Sequence, residues 1–157
     1  MSDSKRNVGA KKTFTKEEML NQVLASGTLD SGTSPIIRRF LSLPLTSTCS
    51  CYGHEENGRE PFLSYVNDEP KNQKDGNFQK EFRRRLSKLN QRINLRIGGS
   101  VVRIFLDKSD YEGGPYEYVL KFNIVDKELL QKLGKKLLDI IWEEFANYLD
   151  ELAKSYL

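Results

Sequence analysis

The chain has 157 residues, of which 38% are hydrophobic and 30% are charged, and its net charge is +3. This is the length of one ordinary domain, and 8 Phe, 7 Tyr and 1 Trp are too many aromatic residues for a wholly disordered protein. The longest apolar runs, such as Ile104-Phe105-Leu106, are far shorter than the roughly 20 residues that a transmembrane helix needs. The basic N-terminus lacks the apolar stretch of a secretory signal, so we expect a cytoplasmic domain that does not enter a membrane.

The first part of the chain is predicted to be a tail followed by a helix. Residues 1–13 are polar and basic, with too little apolar surface to offset the entropy of ordering them. We therefore expect a flexible tail ahead of a single domain over residues 14–157. Thr15 and Glu18 have the spacing of a capping box, which predicts a helix that begins at Thr15 and ends at Gly27.

A second, shorter helix is predicted after a turn. Ser34 and Pro35 are residue types preferred at the N-cap and at the first helical position, and Pro44 would end the helix. Its apolar side is predicted to consist of Ile36, Ile37, Phe40 and Leu41.

An extended segment begins at Leu45, where small and β-branched residues replace the helical pattern. Strict alternation would place Thr46, Thr48 and Ser50 on one face of this strand and Ser47, Cys49 and Cys51 on the other. Turn-forming residues over 53–61 lead to a second predicted strand at residues 62–66, and a polar loop follows over residues 67–76.

The middle of the chain predicts a helix over residues 78–93 and then a hairpin. The helix is indicated by apolar residues that recur every three or four positions, namely Phe78, Phe82, Leu86, Leu89 and Ile93. Residues 101–106 and 118–125 are predicted to form an antiparallel pair joined by a turn over residues 110–115. Gly98 and Gly99 indicate a bulge or a close backbone approach just before this pair.

The last element is predicted to be one long helix that lies across the sheet, with Asp126 as its N-cap and a broad leucine-rich face. The resulting order is helix, helix, two strands, helix, two strands, helix. It predicts an α+β fold, a single layered domain in which helices pack on an antiparallel or mixed sheet of about four strands.

The two cysteines and the only histidine of the chain lie within six positions, in a segment that we call the 49–54 loop. This segment, at the end of a predicted strand, is the best candidate functional site. Its candidate ligand-binding residues are Ser50, Cys51, Gly53 and His54, together with Asp68.

Several kinds of chemistry fit this loop. Cys49, Cys51 and His54 could ligate a metal, although structural zinc sites usually use two separated ligand pairs. Cys51 could act as a catalytic thiol with His54 as its base, because a neighbouring imidazolium lowers a thiol pKa. A disulfide between Cys49 and Cys51 is at the edge of bridging geometry. The alternative is structural, with Cys49 in the core and the following residues forming a tight turn.

The same segment resembles a known family. Residues 47–53, followed by Pro61-Phe62-Leu63-Ser64-Tyr65-Val66-Asn67-Asp68-Glu69-Pro70, are similar to the signature of the tRNA wybutosine-synthesis methyltransferase family. Small uncharacterised proteins with a Ser-Cys-x-Gly-His loop are also similar. The resemblance implies a related strand and loop that bind a nucleotide-like or S-adenosylmethionine-like ligand at Ser50, Cys51, Gly53 and His54. His54 stands where the methyltransferases carry Arg, and Asp68 stands near their His.

A basic segment is the second candidate site. Positions 71–96 contain nine basic and two acidic residues, whereas the predicted last helix is slightly acidic. Basic side chains on a helix can bind phosphates, which suggests RNA as a partner, or they can simply form a solvated surface. The candidate nucleic-acid-binding residues are Arg83, Arg84, Arg85 and Lys88. The alternative is an interaction module that forms a homo-oligomer, for which the last helix or the sheet offers surface.

Overall fold

A computed structural model describes residues 15–26, 31–67, 77–109 and 117–156. The predicted N-terminal tail, Asp68 and the turn over residues 110–115 lie outside the described residues. The helices are α1 (Lys16–Ser26), α2 (Ser34–Ile37), α3 (Asn77–Arg84), α4 (Leu86–Ile97), α5 (Lys127–Leu133) and α6 (Lys135–Tyr156). The strands are β1 (Leu45–Cys51), β2 (Phe62–Asn67), β3 (Val102–Ser109) and β4 (Glu117–Ile124).

The four strands form one sheet in the order β1-β2-β4-β3, and every neighbouring pair is antiparallel. The sheet is therefore antiparallel rather than mixed, and the predicted α+β class is confirmed. Helices α3 and α4 connect β2 to β3, with β4 lying between these two strands. No helix in the described part of the chain has both the length and the apolarity that a membrane span requires.

Strand β1 contains a bulge that changes which residues share a face. Ser47 is paired with Tyr65 and Cys49 with Ser64, so Thr48 is an extra residue. Residues directly opposite each other in an antiparallel pair point to the same face. Ser50 is opposite the buried Leu63 and therefore faces the helices, as Ser47 does.

After the bulge, Cys49 and Cys51 lie opposite Ser64 and Phe62, on the face turned away from the helices. They share this face with Thr46, which lies opposite Val66. The predicted alternation, which grouped Thr46 with Ser50 and Ser47 with the cysteines, is wrong because the extra residue reverses the phase of a two-residue repeat.

The core lies between the sheet and the helices, on the face that carries Leu63, Tyr65, Leu120 and Phe122. Helix α6 supplies Trp142 and Phe145, whose rings contact Phe122 edge-on at 5.4 and 5.7 Å between centroids. The apolar stripe predicted for residues 78–93 is confirmed, since all five of its members are buried.

Two helices that the sequence predicts as continuous are each interrupted. The helix over residues 78–93 is divided at Arg85 into α3 and α4. The last helix is interrupted at Gly134, whose φ of 57° and ψ of −131° are not helical. Asp126 is the N-cap as predicted, and its carboxylate accepts a hydrogen bond from Leu129 N at 3.1 Å.

The N-terminal helices agree with the sequence in part. In the capping box of α1, Thr15 N donates to Glu18 Oε1 at 2.9 Å and Glu18 N donates to Thr15 Oγ1 at 3.1 Å. The N-cap of α2 is Thr33, and the predicted N-cap Ser34 is the first helical residue. The helix ends at Ile37, and a 3-10 helix continues over Arg38–Ser42. Of the predicted apolar side, Ile36, Ile37 and Phe40 are buried, but Leu41 is exposed.

Gly98 and Gly99 end α4 and form no bulge. Gly98 has a φ of 98° and donates its N–H to Asn94 O at 2.8 Å, so it is used for its left-handed backbone as a helix C-cap. A Cβ on Gly98 would meet no atom within 4 Å, which contradicts the predicted close approach.

Candidate functional site

The 49–54 loop runs from the last residues of β1 into a tight turn. His54 and Arg59 form an isolated antiparallel bridge, in which His54 N donates to Arg59 O at 2.9 Å and Arg59 N donates to His54 O at 3.0 Å. A 3-10 turn over Glu55–Asn57 closes the loop, and Gly58 follows with a φ of 71°. The alternative in which these residues shape a tight turn therefore describes the backbone.

Ser50 forms a hydrogen bond with the helical side of the domain. Its side chain is buried, and its hydroxyl shares a 2.7 Å hydrogen bond with the hydroxyl of the equally buried Thr33. Thr33 is the N-cap residue of α2, so this contact joins β1 to the N-terminal helices.

The two cysteines are free thiols, and Cys51 is buried while Cys49 is half-buried. Cys51 lies on the opposite face of the sheet from Ser50, because the two residues are consecutive in a regular part of β1. One ligand on either face of the sheet would therefore meet one of these side chains and not the other.

Tyr52 and Gly53 fix the end of β1 against α6. The indole of Trp142 donates to Tyr52 O at 2.9 Å, its ring stacks on the Tyr52 ring at 5.7 Å, and the Tyr52 hydroxyl donates to the Asp139 carboxylate. Gly53 has a φ of 108°, and a Cβ placed on it would lie 2.8 Å from Leu138 Cδ2. The close approach that glycine permits here is to this helix.

His54 lies at the rim of the loop. Its imidazole is 43% exposed, and its Nδ1 is 3.4 Å from Glu56 Oε1. In the described ranges, no three or more His, Cys, Asp and Glu side chains are grouped as metal ligands would be, so Cys49, Cys51 and His54 are not brought together. Asp68 lies outside the described residues, which leaves its place near this loop a prediction.

The basic segment is partly neutralised by ion pairs. Glu81 of α3 accepts from Arg84 Nη2 at 2.8 Å and from Arg85 Nε at 3.0 Å. These contacts, chiefly the hydrogen bond from Arg84, lower the pKa of Glu81 to about 2. In α4, both terminal nitrogens of Arg92 donate to Glu151 at 2.9 Å. The pair of Arg92 with Glu151 joins α4 to α6, whereas the pairs of Glu81 are local. All three guanidinium groups are less available to an external anion.

Arg96 extends this contact between α4 and the acidic side of α6. It donates to Glu143 at 2.6 Å and to Glu144 at 3.0 Å. The hydrogen bonds that Arg96 donates to Glu143 and Glu144 raise the pKa of Arg96, and those that Arg92 donates to Glu151 raise the pKa of Arg92. The acidic character of the last helix is thus used within the domain.

Three cations of α3 and α4 remain exposed, with no hydrogen-bond or ion-pair partner in the described part of the chain: Lys80, Arg83 and Lys88. We call these three residues the basic patch. A shallow cleft of about 270 Å³ adjoins the patch and is lined by Gln79, Lys80, Arg83 and Arg84. Of the four residues predicted to bind nucleic acid, Arg83 and Lys88 belong to the patch, whereas Arg84 and Arg85 are paired with Glu81.

A larger cleft of about 600 Å³, which no pattern in the sequence had indicated, lies where α4 meets the start of β3. It is lined by Asn90, Gln91, Asn94, Leu95, Gly98, Gly99 and Ser100. Asn90 and Asn94 are four positions apart on one side of a helix, and this spacing is the signal that could have identified them. Neither of the two clefts includes a residue of the 49–54 loop.

The pairing of Glu81 with Arg84 and Arg85 could also have been predicted from the sequence, because positions three and four apart on a helix are neighbours. The contacts of Ser50 with Thr33 and of Arg92 with Glu151 join distant parts of the chain and have no local signal.

Comparisons of the chain with protein-family models, with curated proteins and with solved structures found no match.

Proposed function

We propose that this domain is a non-enzymatic module that binds RNA through the phosphate backbone, with the basic patch as its contact surface. The observation that carries the proposal is that the cations on α3 and α4 fall into two groups, those paired with carboxylates and those exposed to solvent. Arg84, Arg85, Arg92 and Arg96 are held by carboxylates, whereas Lys80, Arg83 and Lys88 face solvent without a described partner.

The spacing of the patch suits a phosphate chain. Lys80 and Arg83 are three positions apart and lie on one side of α3, next to the 270 Å³ cleft. Lys88 lies in the first turn of α4, just beyond the interruption at Arg85. Several exposed cations on neighbouring elements can neutralise phosphates and release their counterions.

The chemistry of the patch favours binding that does not depend on base sequence. The aromatic side chains of α3, Phe78 and Phe82, are buried in the core and are not available for stacking on bases. Contacts to phosphates position a nucleic acid without reading its bases. RNA is favoured over DNA as the partner because residues 47–53 and 61–70 resemble a family that modifies tRNA.

A ligand-binding or enzymatic site at the 49–54 loop has less support. Ser50 and Cys51 lie on opposite faces of the sheet, and Gly53 is packed against Leu138. Binding of S-adenosylmethionine at Ser50, Cys51, Gly53 and His54 stays a prediction. Calorimetric titration of the protein with S-adenosylmethionine would test it separately from RNA binding.

Fluorescence anisotropy with a labelled single-stranded RNA of about 20 nucleotides, longer than the site of a small domain, tests the proposal. If the three cations each neutralise one phosphate, raising the salt from about 50 to 200 mM should weaken binding roughly 20-fold. The variant K80Q/R83Q/K88Q should lose most of the affinity and of the salt dependence.

The matched control is K132Q/K135Q/K136Q, which removes the same charge from three exposed lysines of α5 and α6. It should bind within about two-fold of the unmodified protein, because a specific patch does not depend on net charge alone. Absence of binding at low salt, or equal losses in the two triple variants, would overturn the proposal.

A further inference from the structure

The cleft of about 270 Å³ beside α3 is formed along one side of a single helix. Its described lining residues are Gln79, Lys80, Arg83 and Arg84. They share one side of α3, because each of them is three or four positions from another of the four. Between Gln79 and Arg84 the helix rises only about 7.5 Å, so the cleft is one local site and not a groove that follows a long strand.

The cleft combines an ordered inner wall with cations at its rim. Gln79 is completely buried, and its Oε1 accepts a hydrogen bond from the Tyr65 hydroxyl at 3.2 Å. Lys80, Arg83 and Arg84 are exposed. Their charged ends can therefore meet an anion from solvent while the helix that carries them stays anchored in the core.

Two of these three cations are not compensated by a carboxylate. Arg84 donates to Glu81 from Nε at 2.9 Å and from Nη2 at 2.8 Å, so this pair is neutral overall. The Nη1 group of Arg84 has no hydrogen-bond partner in the described part of the chain and can still donate to an external acceptor. The cleft therefore presents the two charges of Lys80 and Arg83 together with one spare guanidinium nitrogen.

A phosphate monoester matches this set of groups better than a phosphodiester does. At neutral pH a monoester carries about 1.5 to 2 negative charges and three acceptor oxygens, whereas an internal phosphate of a nucleic acid carries one charge. The planar guanidinium of Arg83 can bind two phosphate oxygens at once, and Lys80 can bind another as a point charge. In RNA such a monoester occurs only at a phosphorylated end of the chain.

We propose that the cleft binds the terminal phosphate monoester of an RNA chain, while Lys88 contacts an internal phosphate. Lys88 lies in α4 and does not line the cleft, so it is left for a different phosphate. The inference rests on the function proposed above, because it takes the ligand to be RNA. It adds that the domain recognises phosphorylated RNA ends in preference to the interior of a strand.

Fluorescence anisotropy with three RNAs of one sequence tests the inference. Each RNA has about 20 nucleotides and an internal fluorophore, and the three carry a 5′-phosphate, a 3′-phosphate or a hydroxyl at both ends. One phosphorylated RNA should bind roughly 10-fold tighter than the unphosphorylated RNA, because its end forms additional charge-assisted hydrogen bonds. The end that gives the tighter binding identifies which terminus enters the cleft.

Two variants separate the cleft from the rest of the basic patch. K80Q/R83Q should remove the preference, so that the three RNAs bind within about two-fold of one another. K88Q is the matched control, since it removes a cation of the patch outside the cleft. It should weaken all three RNAs by a similar factor and leave the roughly 10-fold preference intact.

The outcomes separate this inference from the proposed function. If all three RNAs bind equally to the unmodified protein and K80Q/R83Q/K88Q weakens them, the inference fails and the proposed function stands. If no RNA binds at low salt, both fail. A preference for a phosphorylated end that survives in K80Q/R83Q would also overturn the inference. So would a phosphoserine peptide that binds more tightly than either phosphorylated RNA, because the monoester would then belong to a protein partner.

Discussion

The hydroxyl of Tyr148 in α6 donates a hydrogen bond to the backbone carbonyl of Phe82 in α3, close to the point where the helix over residues 78–93 is interrupted at Arg85. Both side chains are buried, and their rings meet edge-on with centroids 5.5 Å apart. Burial raises the pKa of Tyr148, so its hydroxyl stays protonated and keeps its role as donor. The contact supplies a partner for a carbonyl in the last turn of α3.

We expect Tyr148→Phe to lower the free energy of unfolding by about 1 to 2 kcal/mol, because it leaves the buried Phe82 carbonyl without this donor. Urea denaturation would measure the change as a lower midpoint with an unchanged slope. The ring packing is kept in this variant, so the loss reports the hydroxyl alone. A midpoint equal to that of the unmodified protein would contradict the assignment.

Gly53→Ala should be strongly destabilising, by about 2 to 4 kcal/mol. Its φ of 108° is unfavourable for alanine, and the new Cβ would lie 2.8 Å from Leu138 Cδ2. Gly99→Ala is the matched control, because a Cβ there would meet only Val101 Cγ2 at 3.8 Å, and it should change stability by less than about 0.5 kcal/mol. Thermal unfolding of both variants measures the difference, and equal melting temperatures would contradict it.

Local patterns in the sequence predicted much of this fold. The capping box of Thr15 and Glu18, the N-cap Asp126 and the stripe from Phe78 to Ile93 each depend on residues within one or a few turns of helix. In such cases the backbone geometry itself fixes the spacing.

The parts that were wrong depend on contacts made elsewhere in the fold. Nothing in the alternation of β1 marks Thr48 as an extra residue, yet its hydroxyl donates to Glu117 of β4 at 2.6 Å, a partner 69 positions away. That one residue decides that Ser50 shares the helical face with Ser47 and that the two cysteines share the opposite face with Thr46, and with it the composition of the candidate site. Glycine is a weak helix former, so Gly134 is a signal for the interruption of the last helix. The leucine-rich face continues past it, however, and this pattern predicts an unbroken helix.

Glu81→Gln should change both stability at low pH and RNA binding. The pKa of Glu81 is lowered from 4.5 to about 2, chiefly by its hydrogen bond from Arg84, so its contribution to stability is present above about pH 4.5. This contribution is lost as the pH falls from 4.5 towards 2, where the folded state also takes up the proton. The pH dependence of the unfolding midpoint over this range should be flatter in the variant.

The same change releases Arg84 and Arg85, which lie beside the basic patch, so E81Q should strengthen RNA binding and steepen its salt dependence. Glu143→Gln is the control, because it removes one of the two carboxylates that hold Arg96 at the far end of α4. Its effect on binding should be the smaller of the two. An E81Q variant that binds RNA no better than the unmodified protein would contradict a contact surface on α3.

Asn94→Ala should destabilise the junction between α4 and β3 by about 2 kcal/mol. Asn94 Oδ1 accepts from Val101 N at 3.1 Å and from Val102 N at 2.9 Å, and its side-chain amide donates to Val102 O. Alanine leaves these groups without that side chain, although it also favours a helix slightly more than asparagine does. Gln91→Ala, at an exposed position of the same helix, gives that helix-propensity baseline and should be close to neutral. Hydrogen exchange at Val101 and Val102 should accelerate in Asn94→Ala alone, and equal exchange in the two variants would indicate that α4 does not protect this edge of the sheet.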